Sequence, residues 1–317
     1  MELVRESALA SAEEQITQTS SREDLQLVHG IQALDEVDKY LNITSERVSE
    51  WYGLHFPELG PLLGDNVLLS KVVADTGARK DFNEKKLEGK GFSEKKVEAV
   101  ILAAEKSKGG SVGERDINRV VGLAHIVMEL AAEREKLAEY VESTMKRIAP
   151  NTTEVAGATI GARLIARAGG LDRLARLPAS TVQVLGAEKA LFRALRTGAR
   201  PPKHGILFQH EAVHTAPKWQ RGKIARALAN KIAIAARIDY YRGEKEAGLT
   251  GTLEKRLDEI RVKYKEPKES SAPNRQFRDD KRSRYGKGRQ ARGSYKKPRP
   301  GRENVWRKPR QDRRERV

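Results

Sequence analysis

The clearest periodicity in the chain runs from residue 116 to residue 149. Positions 120, 123, 127, 130, 134, 137, 141, 144 and 148 alternate by three and four, and they are Val, Leu, Val, Leu, Arg, Leu, Val, Thr and Ile. This spacing lays an apolar seam along one helix, flanked by Glu133, Glu135, Lys136 and Glu139. At 1.5 Å per residue the helix would be about 50 Å long. A helix of that length seldom covers its seam alone. The pattern therefore predicts a coiled-coil partner, in the same chain or in a second copy. The other predicted helices are shorter, which favours a second copy. Val120, Leu123, Val127, Leu130, Leu137, Val141 and Ile148 are accordingly expected at a homodimer contact.

Upstream, residues 22–50 carry Leu27, Ile31, Leu34, Leu41 and Val48 on a 4,3 spacing, broken at Asp38 and Ser45. Ser21 is the expected N-cap, with Asp24 at the capping-box position. An aromatic corner follows, Trp51-Tyr52-Gly53-Leu54-His55-Phe56-Pro57-Glu58-Leu59. Further helices are predicted over 65–78 and 93–106, with residues 79–92 as a loop broken by Gly89 and Gly91.

Beyond Pro150, which is expected to end the long helix, small and apolar residues dominate. Helices are predicted over 155–168 and 171–177, then from near Gly186 to Arg196, and over 224–241. The last carries Ile224, Ala225, Leu228, Ile232, Ala235 and Ile238 and should be largely buried. Pro201-Pro202 and Gly205 mark a rigid loop, and Ile206–Phe208 reads as a short buried extended piece.

Charge divides the chain. Residues 1–150 hold 20 basic and 27 acidic side chains; residues 151–266 hold 22 and 11; residues 267–317 hold 19 and 6. The overall charge is +17. A basic second half attracts a polyanion, because neutralising phosphates releases counterions. The tail adds Tyr285, Tyr295 and Trp306 among its cations, a composition that cannot bury a core and suits RNA by charge and stacking. Four segments result: an extension at 1–20, a helical coiled-coil region at 21–149, a compact domain at 150–265 and a disordered basic tail at 266–317.

The absence of cysteine excludes disulfides, zinc–thiolate sites and cysteine nucleophiles. No apolar run approaches the ~20 residues of a membrane helix, and residues 1–20 are too polar for a signal peptide, which predicts a soluble, intracellular protein with no membrane partner. His204, His210 and His214 cluster but find no fourth ligand apart from Glu211, in basic surroundings. Hydrogen bonding to RNA or backbone is expected there rather than a metal. No P-loop, Gly-rich cofactor loop or carboxylate pair supports catalysis, so neither a cofactor nor an enzyme is expected.

Two helix starts are candidate phosphate sites. At the first, Gly186 and Ala187 would offer free N–H groups, Glu188 would favour the dipole, and Lys189, Arg193 and Arg196 would form a basic stripe. Phe192 would then be a surface for a stacked base; the bland alternative is a solvated stripe with Phe192 in the core. At the second, Lys218, Arg221 and Lys223 surround the start of the apolar helix, with Gln220 and Arg226 beside them and Lys203, His204, Gly205 and His210 in the preceding loop.

The segments GAEKALFRALRTGARPPKHG (186–205), HEAVHTAPKWQRGKIARALANKIAIAARID (210–239) and WYGLHFPEL (51–59) resemble the Nop domain. That family includes core proteins of box C/D guide ribonucleoproteins and a spliceosomal pre-mRNA processing factor. The WYG-HFPEL element looks like the guide-particle branch, and the compact size looks archaeal, which implies a cytoplasmic location (nucleolar in a eukaryote). The resemblance implies an all-α fold and joint binding of kink-turn RNA with a kink-turn-binding ribosomal-protein homologue. It implies RNA contact by Gly186–Lys189 and abutment of the guide duplex by Ala190, Leu191, Phe192 and Arg193. It also implies an antiparallel coiled coil between two copies and methyl transfer by fibrillarin. Family members carry an N-terminal docking domain for fibrillarin; only residues 1–20 precede the first bundle helix here, so that partnership lacks its usual platform. Trp219 stands where smaller or polar residues are more familiar and would stack on a base or pack. The alternative function is an RNA-binding assembly factor of the pre-mRNA-processing type.

Overall fold

The computed structural model describes residues 2–88 and 91–267; the basic tail beyond Pro267, with Tyr285, Tyr295 and Trp306, lies outside the described residues. The architecture is all-α, and no strand occurs among the described residues. The elements are α1 (Glu2–Ser20), α2 (Glu23–Tyr52), α3 (Leu59–Leu63), α4 (Asn66–Thr76), α5 (Glu84–Leu87), α6 (Glu94–Glu105), α7 (Glu114–Ile148), α8 (Pro150–Ala156), α9 (Ala158–Ala168), α10 (Leu171–Arg176), α11 (Ala179–Val184), α12 (Glu188–Thr197), α13 (Glu211–His214), α14 (Arg221–Tyr241) and α15 (Leu249–Lys263). No helix among the described residues is long and apolar enough to cross a membrane.

The long helix α7 is covered within its own chain. It runs antiparallel to α2: Asp38 meets Arg134 in the middle, and Glu23 meets Arg147 at one end. Val120, Val127 and Val141 are fully buried, and Leu123, Leu130, Leu137 and Ile148 pack against the same cores. Much of the covering thus comes from the same chain, where a second copy was the expectation. α2 and α4 occupy most of the seam, and Leu123, Leu130, Leu137 and Ile148 stay half-buried. The irregularities of the two helical patterns explain each other. Arg134 interrupts the seam of α7 and Asp38 that of α2, and the Arg134 guanidinium donates to the Asp38 carboxylate at 2.6 Å. Ser45, the other interruption in α2, is buried with its hydroxyl turned back to the Asn42 carbonyl.

Two hydrophobic cores share this helix pair. The distal core joins the second half of α2 and the first half of α7 to α3, α4 and α6. The other joins Leu27, Ile31, Leu34, Val141 and Met145 to α8–α11, α14 and α15. The cores therefore divide partway along α2 and α7, while the composition changes at residue 150. The reason is length: both helices extend past the distal bundle and bury their other ends in the C-terminal lobe.

Several local expectations change. The N-cap of α2 is Arg22, not Ser21; Asp24 accepts from Arg22 and from the Leu171 backbone N–H at 3.0 Å, tying α2 to α10. Residues 79–92 contain a 3₁₀ turn at Arg79–Asp81 and the single turn α5. Pro150 starts α8, where its missing N–H is tolerated. Ile206–Gln209 is a 3₁₀ turn rather than an extended piece. The helix expected from Gly186 is preceded by a separate α11. The C-terminal lobe is centred on α14, ten of whose 21 residues are buried. Its Asp239 carboxylate is buried and accepts from the backbone N–H groups of Asn151 and Thr152 (3.0 and 2.8 Å) and from both their side chains. In this way α14 caps the start of α8.

Candidate nucleic-acid interface

The helix α12 projects from the lobe: of its ten residues only Ala194 is buried. The chain enters it at Gly186, whose φ of +87° favours glycine and where a Cβ would sit 2.6 Å from Ile206. Glu188 fixes this entry. Its carboxylate accepts the Gly186 N–H at 2.7 Å and two bonds from the Arg167 guanidinium, at 3.1 and 2.7 Å. The Arg167 bond holds the Glu188 carboxyl at a pKa of about 2, aided by the Gly186 N–H against some burial. The Ala187 N–H is also engaged, by the Val184 carbonyl at 2.9 Å.

Neither Gly186 nor Ala187 is thus a free donor for phosphate, as expected above. Their N–H groups hold the turn, and Glu188 positions it through its bonds to Gly186 and Arg167. The open donors of the first turn are those of Lys189 and Ala190. Beyond them the surface follows the stripe. Lys189, Arg193 and Arg196 are exposed and carry no ion pair among the described residues. Phe192 is 65% exposed and Leu195 73%, while Leu191 is half-buried. An exposed phenylalanine among unpaired cations fits the stacking surface rather than a core position.

The second helix start is different. Gln220 is buried and donates to the Tyr264 carbonyl at 2.8 Å. The Arg221 guanidinium donates to the carbonyls of Ala216 (2.8 Å) and His214 (3.1 Å) and lies over the Phe208 ring. The Lys223 ammonium sits 4.0 Å from the centre of the Tyr264 ring and donates to the Trp219 carbonyl. These three side chains are engaged within the fold, a role beside the RNA contacts expected of them. His210 caps α13 by accepting the Ala212 N–H, and burial pushes its pKa down. His204 stacks on Phe208 at 4.8 Å; burial, then the charges of Arg221 and Lys203, push it down as well. Neither histidine adds positive charge at neutral pH. Gly205 is a packing requirement, because a Cβ there would lie 2.0 Å from the Leu185 carbonyl oxygen. Lys203, Lys218 and Arg226 remain exposed. Among the described residues no cluster of three His, Asp or Glu side chains forms a metal site.

Arg167, Gln183 and Arg200 were not singled out from the sequence. Arg167 acts on a residue 21 positions away, and Gln183 donates across the lobe to the Lys203 carbonyl. Only Arg200 had a local signal, since it extends the basic stripe past Gly198.

A helical hairpin carries an all-helical lobe, with one cationic, aromatic-bearing helix projecting from it, an all-α class of protein. The chain matches the family described as "Nop: snoRNA binding domain, fibrillarin" over residues 33–259, and it belongs to that family. It is 44% identical over 248 residues to a NOP5 family protein of Methanocaldococcus jannaschii, covering 78% of this chain and 60% of the relative. It is 45% identical over 220 residues to nucleolar protein 58 of Schizosaccharomyces pombe, covering 68% and 42%. The chain therefore spans 60% or less of the length of these relatives. A solved structure titled as a fibrillarin/Nop5p complex aligns with 31% identity and a TM-score of 0.46, covering 82% of this chain and 78% of that one.

Proposed function

We infer that the chain is a non-catalytic scaffold of a box C/D guide ribonucleoprotein directing 2′-O-methylation of ribosomal or transfer RNA. The observation that carries this reading is α12. It occupies the family's GAEKALFRAL segment, stands clear of the core, and presents Lys189, Arg193, Arg196 and Phe192 with no partner among the described residues. One short helix offers a small surface, which suits RNA held jointly with a kink-turn-binding ribosomal-protein homologue. Methyl transfer falls to fibrillarin, bridged to the RNA through this scaffold, in the cytoplasm of an archaeal cell. A homodimer would use the outer faces of α2 and α7, where Tyr40, Ile43 and Ile126 are exposed, in place of the covered seam.

The test is a gel shift on a kink-turn RNA at fixed salt, with this chain, the kink-turn-binding protein, or both. A ternary shift lost in the Lys189→Ala/Arg193→Ala variant is expected. Binding that ignores both the second protein and these two residues would reduce the chain to a general basic RNA binder.

A further inference from the structure

A second basic site follows α12 in the chain, in the groove between the Arg200–Lys203 loop and the first turns of α14. It encloses about 410 Å³. Its walls carry Arg200, Lys203, Lys223 and Arg226, one aromatic ring, Trp219, and no acidic residue. The cavity beside α12 is different in kind: Asp35 and Asp38 line it, and their charge is met by Arg163 and Arg134.

The groove is rigidly built. The Gln183 side-chain amide donates to the Lys203 carbonyl at 2.6 Å and to the Gly222 carbonyl at 3.4 Å, tying one wall to the other. The Trp219 indole N–H donates to the Tyr264 carbonyl at 2.9 Å, the same oxygen that accepts from buried Gln220. The ring is thus fixed while 38% of the residue stays exposed. Arg200, Lys203 and Arg226 carry no ion pair among the described residues. A fixed, exposed indole walled by unpaired cations offers a stacking face and phosphate partners together.

We propose that this groove takes one unpaired nucleotide of a bound RNA, with its base on Trp219 and its flanking phosphates at Arg200 and Arg226. Stacking accepts any base, and the Gln183 N–H groups are committed to backbone, so the site selects single-stranded character over sequence. The proposal rests on the RNA-scaffold reading and deepens it: α12 serves the folded RNA, and the groove serves a strand leaving it.

The test uses the full chain with the kink-turn-binding protein and a kink-turn RNA carrying a short flank of 5-iodouridine, cross-linked by light and mapped by mass spectrometry. A cross-link at Trp219 is expected. Trp219→Ala should weaken binding of the flanked RNA by about tenfold and leave the same RNA without its flank unaffected. Trp219→Phe keeps a ring but loses the Tyr264 bond, and should bind like the parent. Equal losses in both variants would assign the effect to the Tyr264 bond and overturn the stacking site. So would cross-links confined to other regions while binding still depends on Lys189 and Arg193. Loss of all RNA binding, indifferent to Lys189 and Arg193, would overturn the scaffold reading along with it.

Discussion

The helices α12 and α14 belong to one lobe, both begin among basic residues, and both read from the sequence as phosphate-facing helix starts. At the start of α14 the charge of Arg221 and Lys223 is committed inside the molecule, while Arg226 stays exposed. Arg221 clamps two carbonyls and Lys223 covers a tyrosine ring; further along, the Arg237 guanidinium donates to the carbonyls of Ala175 and Leu177 at the end of α10. In α12 the charge meets no partner among the described residues, and the acid at the helix start is held by an arginine from another helix. The difference teaches that a basic helix start marks a ligand surface only where its cations lack carbonyl and aromatic partners. An interior cation with such partners contributes to folding, because a buried polar group without a bond costs free energy that these bonds avoid.

The comparison can be broken most forcefully at Asp239. Asp239→Ala leaves four donors of Asn151 and Thr152 without their acceptor. It should lower stability by about 3 kcal/mol in urea unfolding. A loss near zero would mean that water replaces the carboxylate and that α14 is less central than its burial indicates.

Next in size are the α12 cations. Lys189→Ala and Arg193→Ala should each weaken the RNA complex by ~1–3 kcal/mol while the thermal midpoint stays put. Arg221→Ala should do the reverse, losing about 2 kcal/mol of stability with RNA affinity of the folded protein unchanged. If Arg221→Ala instead weakens RNA binding with stability intact, the contrast between the two helices collapses.

The smallest effect concerns Glu188. Its carboxyl is held down at a pKa of about 2 by Arg167. The pairing is therefore complete above the ordinary carboxylate range and is lost as pH falls from there towards 2. Carbon-13 titration of the Glu188 carboxyl should show this, and Arg167→Ala should return it towards the ordinary range. The pair is partly exposed, so its contribution to stability is below about 1 kcal/mol; its consequence should be looser placement of α12. Glu188→Gln, which keeps an acceptor for the Gly186 N–H, should bind RNA better than Glu188→Ala.

Much of the fold was legible. The 4,3 spacings of 22–50 and 116–149 located α2 and α7 to within a few residues, because burying one stripe of a helix leaves a period that no other structure mimics. The run from Ile224 to Tyr241 announced a buried helix, and α14 is one. The helix α15 lay outside the anticipated elements, although Leu249, Leu253, Leu257 and Ile260 form its buried stripe. The candidate site was legible as a composition and less so as an arrangement. The α12 cations and Phe192 stand exposed as the stacking reading requires, whereas Gln220, Arg221, Lys223, His210 and Gly205 make contacts within the fold that no local pattern announced.

By itself the sequence determined the helical class, the two long helices, the separation of acidic and basic halves, and the motif that carries α12. Each follows from local periodicity, composition or a contiguous run of residues. The tertiary structure decided what those properties are for. A seam records that a helix is covered but not by what, and here α2 supplies the cover, down to Asp38 answering Arg134. A cation's role depends on whether a carbonyl or ring lies within reach. That distance is set by folding between residues far apart in the chain, such as Arg167 and Glu188 or Gln183 and Gly222.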